Sequence, residues 1–388
     1  MPTALPSGRP AQMRHVLHVV SGLRVGGAEM ALYRLVLHSR GSGYIHTVVA
    51  LTPEGDMAER FRSSGVELIV LDFRRSPVSQ YLRLLRLMRL RRPDIVQTWL
   101  YHADLFGGLA ARLAGIRNVI WGVHTTYVTG GPRATAAVRW LCGRLSRWVP
   151  STIVCVAEAA RREHVRIGYD AGRVVVVPNG FDLSFLVAGD GERERLRREC
   201  GFAEDDVVIG TVGRFSPDKD HGNFIQAAAL LARRNASLRF LMVGKGLEPG
   251  NAVLMNWIRE SGCAKRFVLL GERHDIPACL AGMDVFCLSS RTEAFPLVVG
   301  EAMAMGLPCV STDVGDVSFL LGGAGIVVPK ENPEAMAQAV AQLLSLEPAS
   351  RRKLGEQASA RIRAEFAMER ARERIEGIYE TVLQRRSV

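Results

Sequence analysis

No apolar run in this chain approaches the roughly 20 residues a membrane-spanning helix needs, so no spanning helix is expected. The first twelve residues carry Pro, Gly and Ser but no apolar core, which argues against a secretory signal and for a cytoplasmic protein. Cysteine is sparse and odd in number. The seven (142, 155, 200, 263, 279, 287 and 309) are scattered, mostly inside apolar runs, and read as reduced, buried thiols. No His/Cys spacing makes a metal site. The glycine fingerprint of dinucleotide binding is missing too: Ser21-Gly22-Leu23-Arg24-Val25-Gly26-Gly27 is not Gly-x-Gly-x-x-Gly, which disfavours a dehydrogenase. Neither a helix-turn-helix nor a zinc signature supports a DNA-binding reading. Low-complexity segments and short repeats are also lacking.

What is present is an ordinary globular composition, 48% hydrophobic and 23% charged over 388 residues, long enough for two domains of about 150–200 residues each. Charge is uneven. Residues 1–180 carry a net +13 and the remainder −2. Such a basic half suits anionic lipid, nucleic acid or a phosphorylated acceptor, or is a solvated Arg-rich surface. Near-continuous β-branched runs at 16–20, 47–51, 67–71, 95–99, 119–123, 153–156 and 174–177 alternate with helical patterns. After Pro178-Asn179-Gly180 and a charged stretch, a second series follows at 207–212, 240–243, 268–270, 285–288, 309–311 and 326–328. Strands of this kind are buried on both faces in a parallel sheet covered by helices. The reading is α/β: two Rossmann-like, doubly wound domains facing across a cleft. The boundaries are a flexible 1–12, a first domain at 13–180, a second at 181–369 and a charged C-terminal helix at 370–388.

Glu293 and Glu301 carry the most chemistry. Glu293 falls in a loop after an apolar strand, and Glu301 lies inside an Ala/Met-rich helix ended by Gly306 and Pro308. A strand, a short loop and a helix N-terminus is where an α/β sheet offers N–H groups to an anion. Carboxylates there repel a phosphate but accept hydrogen bonds from hydroxyls beside it, so a nucleotide sugar is the economical ligand. Arg214 and Lys219 follow another strand and Gly213, where cations can meet charge growing on a leaving phosphate. Taken singly, such a pair reads as two surface cations, and Gly26-Gly27 as a tight turn. A glycosidase, with carboxyls on opposite sides of one bond, is the competing use of two carboxylates.

Six motifs in order then give the chain a resemblance. They are Gly26-Gly27-Ala28-Glu29, Pro178-Asn179-Gly180-Phe181-Asp182, Val212-Gly213-Arg214 with Lys219, Val243-Gly244-Lys245-Gly246, the 271–277 segment, and the Glu293/Glu301 pair. Together the chain resembles the retaining glycosyltransferases of family 4, with the GT-B architecture, over nearly its whole length. The resemblance implies that Arg214 and Lys219 bind the donor diphosphate, that Glu301 accepts from ribose hydroxyls, and that Glu293 contacts a donor-sugar hydroxyl. It implies that the amides of Phe295, Leu297 and Val298 bind sugar and phosphate, and that the Gly26-Gly27 loop closes on the diphosphate from the other domain. His124 matches an active-site histidine contacting the donor sugar. Retention by front-face attack, no metal or other cofactor, and a last helix crossing back to the first domain are also implied. One departure stands out: Ala294 occupies a position where many members have Gly.

Base recognition is expected from Gly244, Lys245, Arg273 and His274, with uracil favoured and guanine or adenine open. His102 and Asp104, after another strand, are acceptor-pocket candidates. Arg at i, i+3 and i+6 beside a Leu/Met face (83, 86, 89), and a second cluster from Arg133 to Trp148, are compatible with a lipid interface or a sheet-covering helix. The resulting expectation is transfer from a UDP-sugar to a saccharide or lipid-linked acceptor in capsule, exopolysaccharide or O-antigen assembly. The setting is cytoplasmic, at the inner face of the membrane, and no nucleic acid is involved. The alternatives are a soluble acceptor or a nucleotide-sugar epimerase of the same architecture.

Overall fold

The computed structural model of the protein describes residues 13–24, 26–53, 55–126 and 133–385. The stretch 1–12 expected to be flexible lies outside the described residues. The chain forms two compact units: Phe181–Ala367 is one, and the chain up to Gly180 together with Met368 onward is the other.

The first unit runs β1 (Arg14–Val20), α1 (Gly27–His38), β2 (Tyr44–Ala50), α2 (Met57–Ser63), β3 (Glu67–Val70), α3 (Pro77–Arg91), β4 (Ile95–Trp99), α4 (Tyr101–Leu113), β5 (Val119–Val123), α5 (Arg133–Leu145), β6 (Thr152–Cys155), α6 (Glu158–Arg166) and β7 (Val174–Val176). Its seven strands are all parallel, in the order β3-β2-β1-β4-β5-β6-β7. The runs of β4, β5 and β6 are buried on both faces, as parallel packing requires, and the edge strands β3 and β7 are only partly covered. Helix boundaries follow local chemistry: Pro77 opens α3, where its missing N–H costs nothing, and Arg92 closes it in the left-handed region.

The second unit runs α7 (Glu192–Glu199), β8 (Val207–Val212), α8 (His221–Ala232), β9 (Leu238–Val243), α9 (Ala252–Glu260), β10 (Phe267–Gly271), α10 (Ile276–Ala281), β11 (Val285–Leu288), α11 (Leu297–Ala304), β12 (Cys309–Thr312), α12 (Val317–Leu321), β13 (Gly325–Val328), α13 (Pro333–Ser345) and α14 (Pro348–Glu365). Its six parallel strands are ordered β10-β9-β8-β11-β12-β13. The charged stretch read as a link is largely α7, and it is anchored. Arg193 and Arg197 both reach Asp284, at 2.7 and 3.3 Å.

The last helix, α15 (Met368–Gln384), belongs to the first unit. Met368, Ala371, Ile375, Tyr379 and Val382 join the core formed with α1 and strands β1, β2 and β4. The Tyr379 hydroxyl donates to Gln97 on β4.

Each strand order reverses once, between β1 and β4 and between β8 and β11. In an open α/β sheet, ligands bind outside the strand C-termini at that reversal. The loops there carry Gly26, His102, Arg214 and Glu293.

Candidate donor and acceptor loops

In the second unit four successive strand-end loops interlock. The Gly213 amide donates to the Val243 carbonyl at 2.9 Å, Phe215 to Lys245 at 2.7 Å, and Gly244 to Gly271 at 2.7 Å. Arg291 donates to Asp218 at 2.8 Å, and the Ser289 hydroxyl to the Lys219 carbonyl at 2.9 Å. A Cβ on Gly244 would overlap the Gly213 carbonyl, and its φ of +143° disfavours any side chain. The expected glycines therefore serve chiefly to bring loops together. The amides of Gly213 and Gly244 are committed to neighbouring strand ends, and that of Gly246 to Glu248 at 3.1 Å.

Phe215 is clasped on several sides. It stacks on His221 (6.1 Å, 9°), meets Trp257 (5.6 Å), and faces Gly246, where a Cβ would crowd its own. His221 also bonds the Arg214 carbonyl through Nε2 at 3.1 Å. A carbonyl only accepts, so this nitrogen carries the proton. Burial lowers the His221 pKa to about 4 and keeps it neutral. Nothing in the local pattern around Phe215 signals this clasp, because its members come from separate loops.

Lys219 Nζ lies 2.6 Å from Glu293 Oε1, and the Ser290 hydroxyl donates to the same oxygen at 2.7 Å. Both members of the ion pair are largely buried. Arg214 is exposed and forms no ion pair among the described residues. The neighbouring cations do: Arg291 binds Asp220 and Glu331, and Arg273 binds Asp275 and Glu199. Arg273, expected on the base shelf, is held by these two carboxylates, with its pKa raised by Asp275 and then Glu199, whereas Lys245 and His274 on the same loops are exposed.

Glu301 sits in the second turn of α11, part-buried. Leu297 and Val298 open that helix, where first-turn amides lack intrahelical acceptors. The Phe295 side chain is core, against Phe181 and Phe366. A Cβ on Gly300 would overlap the Phe181 ring, so the domain-opening Phe181 and the helix carrying Glu301 pack as one piece. Ala294 needs no glycine: it is not among the residues of positive φ, and its carbonyl accepts from Asp316 at 3.0 Å. The special conformation falls instead on Gly315 (φ +58°), where a Cβ would overlap the Ala294 carbonyl.

In the first unit Gly26 is the N-cap of α1 and Gly27 its first, exposed residue. Glu29, in the first turn, has its pKa raised by burial. His102, the second residue of α4, is half-buried, and burial lowers its pKa. Asp104 is a correction: it is 0% exposed and accepts from Thr98 Oγ1 at 2.5 Å. Burial lifts its pKa well above the carboxylate range, so it braces the end of β4 from inside the fold and lines no pocket. His124, just past β5, stacks on Trp99 and is lowered by burial to about 3.

Comparison with known proteins follows this division. A model described as Glycosyltransferase Family 4 matches residues 25–185, and one described as Glycosyl transferases group 1 matches residues 206–346. Alpha-D-kanosaminyltransferase of Streptomyces kanamyceticus is 32% identical over 293 residues, 72% of this chain and 74% of that one. The UDP-Gal:alpha-D-GlcNAc-diphosphoundecaprenol alpha-1,3-galactosyltransferase of Escherichia coli is 29% identical over 245 residues. That match covers 62% of this chain and 63% of the enzyme, less than two thirds of its length. Among solved structures, Anabaena Alr3699/HepE in complex with UDP superposes with a TM-score of 0.84 at 20% identity, over 94% of this chain and 99% of that one.

Proposed function

Because this chain belongs to glycosyltransferase family 4 and has the GT-B fold, we propose that it transfers a sugar, with retention, from a UDP-sugar to a saccharide or lipid-linked acceptor. The observation that carries this is the pairing of Lys219 with Glu293 beside the uncommitted Arg214, at the topological switch of the second unit. Lys219, held by Glu293, and the exposed Arg214 are cationic donors for charge growing on the leaving diphosphate, so the reaction needs no metal. The α11 amides add to that charge stabilisation, Glu301 accepts from the ribose, and Glu293, oriented by Lys219 and Ser290, receives a sugar hydroxyl. His124, held neutral by burial, is too weak a base at pH 7 to take the acceptor proton. That proton passes to the leaving phosphate, as front-face attack requires.

The deciding experiment is a panel of nucleotide sugars incubated with and without EDTA, read as nucleoside diphosphate release for wild type and Glu301→Ala. Selective release from one UDP-sugar, unaffected by EDTA and lost in the variant, is expected. Release only from another donor, or only with metal, refutes the UDP or the metal-free assignment respectively. Inverted anomeric configuration in the product refutes retention.

The acceptor reading extends to the membrane. Helix α4 packs between α3 and α5, and the outer faces of this layer leave Leu82, Leu90, Leu113, Trp140 and Trp148 exposed, Leu90 at 75% and Trp148 at 65%. Between positions 77 and 148 stand eleven arginines and two acidic residues. Of the two, Asp104 is buried and Asp94 is bound to Arg14. Exposed Leu and Trp among arginines suit an anionic lipid interface, where apolar bodies enter the headgroup layer and cations meet phosphate. No helix among the described residues is long and apolar enough to cross a membrane, so the contact is peripheral. Cosedimentation with phosphatidylglycerol vesicles, weakened by salt and by Trp148→Ser, is expected. No pelleting at low salt removes the membrane while leaving glycosyl transfer untouched, and favours a soluble acceptor.

A further inference from the structure

Strand β4 ends in a strained turn. Leu100 has φ 72° and ψ 160°, a region essentially reserved for glycine that costs of order 1–3 kcal/mol elsewhere. The turn is over-determined. The Leu100 amide donates to the Gly122 carbonyl at 3.0 Å, the Asp104 amide donates to the Leu100 carbonyl at 2.9 Å, and the Asp104 carboxyl is held by Thr98. Backbone on both sides of this turn is therefore fixed, and Trp99 immediately precedes it.

The Trp99 side chain is fixed as well. Its indole N–H, which can only donate, lies 3.2 Å from His18 Nδ1. That contact sets the tautomers in turn. His18 accepts at Nδ1 and carries its proton on Nε2, from which it donates to His46 Nδ1 at 2.9 Å. The two imidazoles stack at 5.1 Å, and His18 is wholly buried. One donor thus orders a three-residue relay across β4, β1 and β2. On the Trp99 indole lies the His124 ring, 4.8 Å between centroids and 26° from parallel. Gly122 is required by the strand beside it rather than by this ring: a Cβ there would overlap the Thr98 carbonyl, while His124 Nε2 would lie at an ordinary 3.4 Å.

We propose that Trp99 is a positioning residue for His124, its indole a platform locked by the His18–His46 relay and by the strained Leu100 turn. His18 reaches Trp99 and His46 reaches His18, and no hydrogen bond or ring contact among the described residues joins either histidine to His124, so their influence on it runs through the indole. The inference rests on the reading of His124 as a site residue given above.

A double-mutant cycle with a spectroscopic check tests it. Trp99→Leu removes the platform, and Trp99→Phe keeps a ring but removes the N–H. Trp99→Leu is expected to lower kcat about 10-fold, as misplacement of a reacting-site group does, with donor KM changed less than about 2-fold. Combined with His124→Ala it should add nothing further, because both act through one imidazole. Independent, multiplying losses overturn the proposal. Trp99→Phe and His18→Leu should fall between wild type and Trp99→Leu, and they carry the cycle if Trp99→Leu does not fold. The His124 Cε1–H resonance, shifted by the indole ring current, should move in each Trp99 variant. An unchanged resonance overturns the platform whatever the kinetics. A wild-type rate for His124→Ala, with the resonance moved, instead retires the catalytic reading of His124 and leaves the platform standing.

Discussion

Two glycines that look equivalent along the chain should behave differently when each is given a methyl group. Gly213 and Gly244 both follow strands and both flank cations. At Gly213 the backbone is not in the positive-φ region, and a Cβ would meet only the Lys219 methylenes, at 3.5 Å, an ordinary contact. Gly244 has φ +143° and its Cβ would overlap the Gly213 carbonyl. Adopting that backbone with a side chain costs about 1–3 kcal/mol. Relieving the overlap, in loops pinned by the Gly213–Val243 and Gly244–Gly271 hydrogen bonds, adds about 1–3 kcal/mol. Gly244→Ala should therefore destabilise the second unit by roughly 2–6 kcal/mol, a large part of the 5–15 kcal/mol typical of a domain. Any accommodating shift moves the loop carrying Arg214. UDP affinity should then fall on the order of tenfold or more, since tenfold needs only about 1.4 kcal/mol. Gly213→Ala should stay within about 1 kcal/mol and bind UDP nearly normally. Scanning calorimetry and titration calorimetry measure both quantities. Equal losses in the two variants, or a silent Gly244→Ala, would refute the argument that close approach of the β8 and β9 loops builds the donor half-site.

Arg214→Ala should slow turnover on the order of 10²-fold or more, while Arg273→Ala, whose guanidinium is already held by Asp275 and Glu199, should leave the chemical step nearly unchanged; steady-state rates with saturating donor compare the two. Glu301→Ala should weaken nucleotide binding by about 1–3 kcal/mol, the loss of a part-buried hydrogen-bonding partner, and unchanged affinity by titration calorimetry would sink the ribose role. Acid should act first on the unit holding His18, His46, His124 and His164. Burial lowers all four, to about 4, 3 and 4 for the last three, against about 6.5 in the unfolded chain. Their contribution is present above pH 6.5 and is lost as pH falls towards 4, each steepening the decline by about 1.4 kcal/mol per pH unit. The second unit holds one such histidine, His221. Four of the five tryptophans (99, 121, 140 and 148) lie in the first unit, so tryptophan fluorescence should show its denaturation midpoint falling over that window before circular dichroism reports loss of the other. Coincident transitions would contradict this.

Local pattern alone determined the two parallel sheets. The thirteen described strands lie where near-continuous, β-branched-rich apolar runs place them, because a parallel sheet covered by helices needs apolar residues on both faces. The loops carrying Arg214, Lys219, Glu293 and His124 were legible for a related reason: charged residues just past a buried strand end are conspicuous against it. Tertiary structure decided how those residues are used. Whether a carboxyl or guanidinium is available depends on partners far along the chain, so sequence could not show that Glu199 occupies Arg273, 74 residues away, or that Asp104 is sealed against Thr98. Glycine is equally mute on its own, since a turn, a ligand approach and a loop-to-loop contact all require the missing Cβ. Only the neighbouring carbonyl at Gly244, or the Phe181 ring at Gly300, says which. The Trp99 platform is the clearest case. Its members come from four strand segments that chain order separates and the parallel register of β2, β1, β4 and β5 brings side by side.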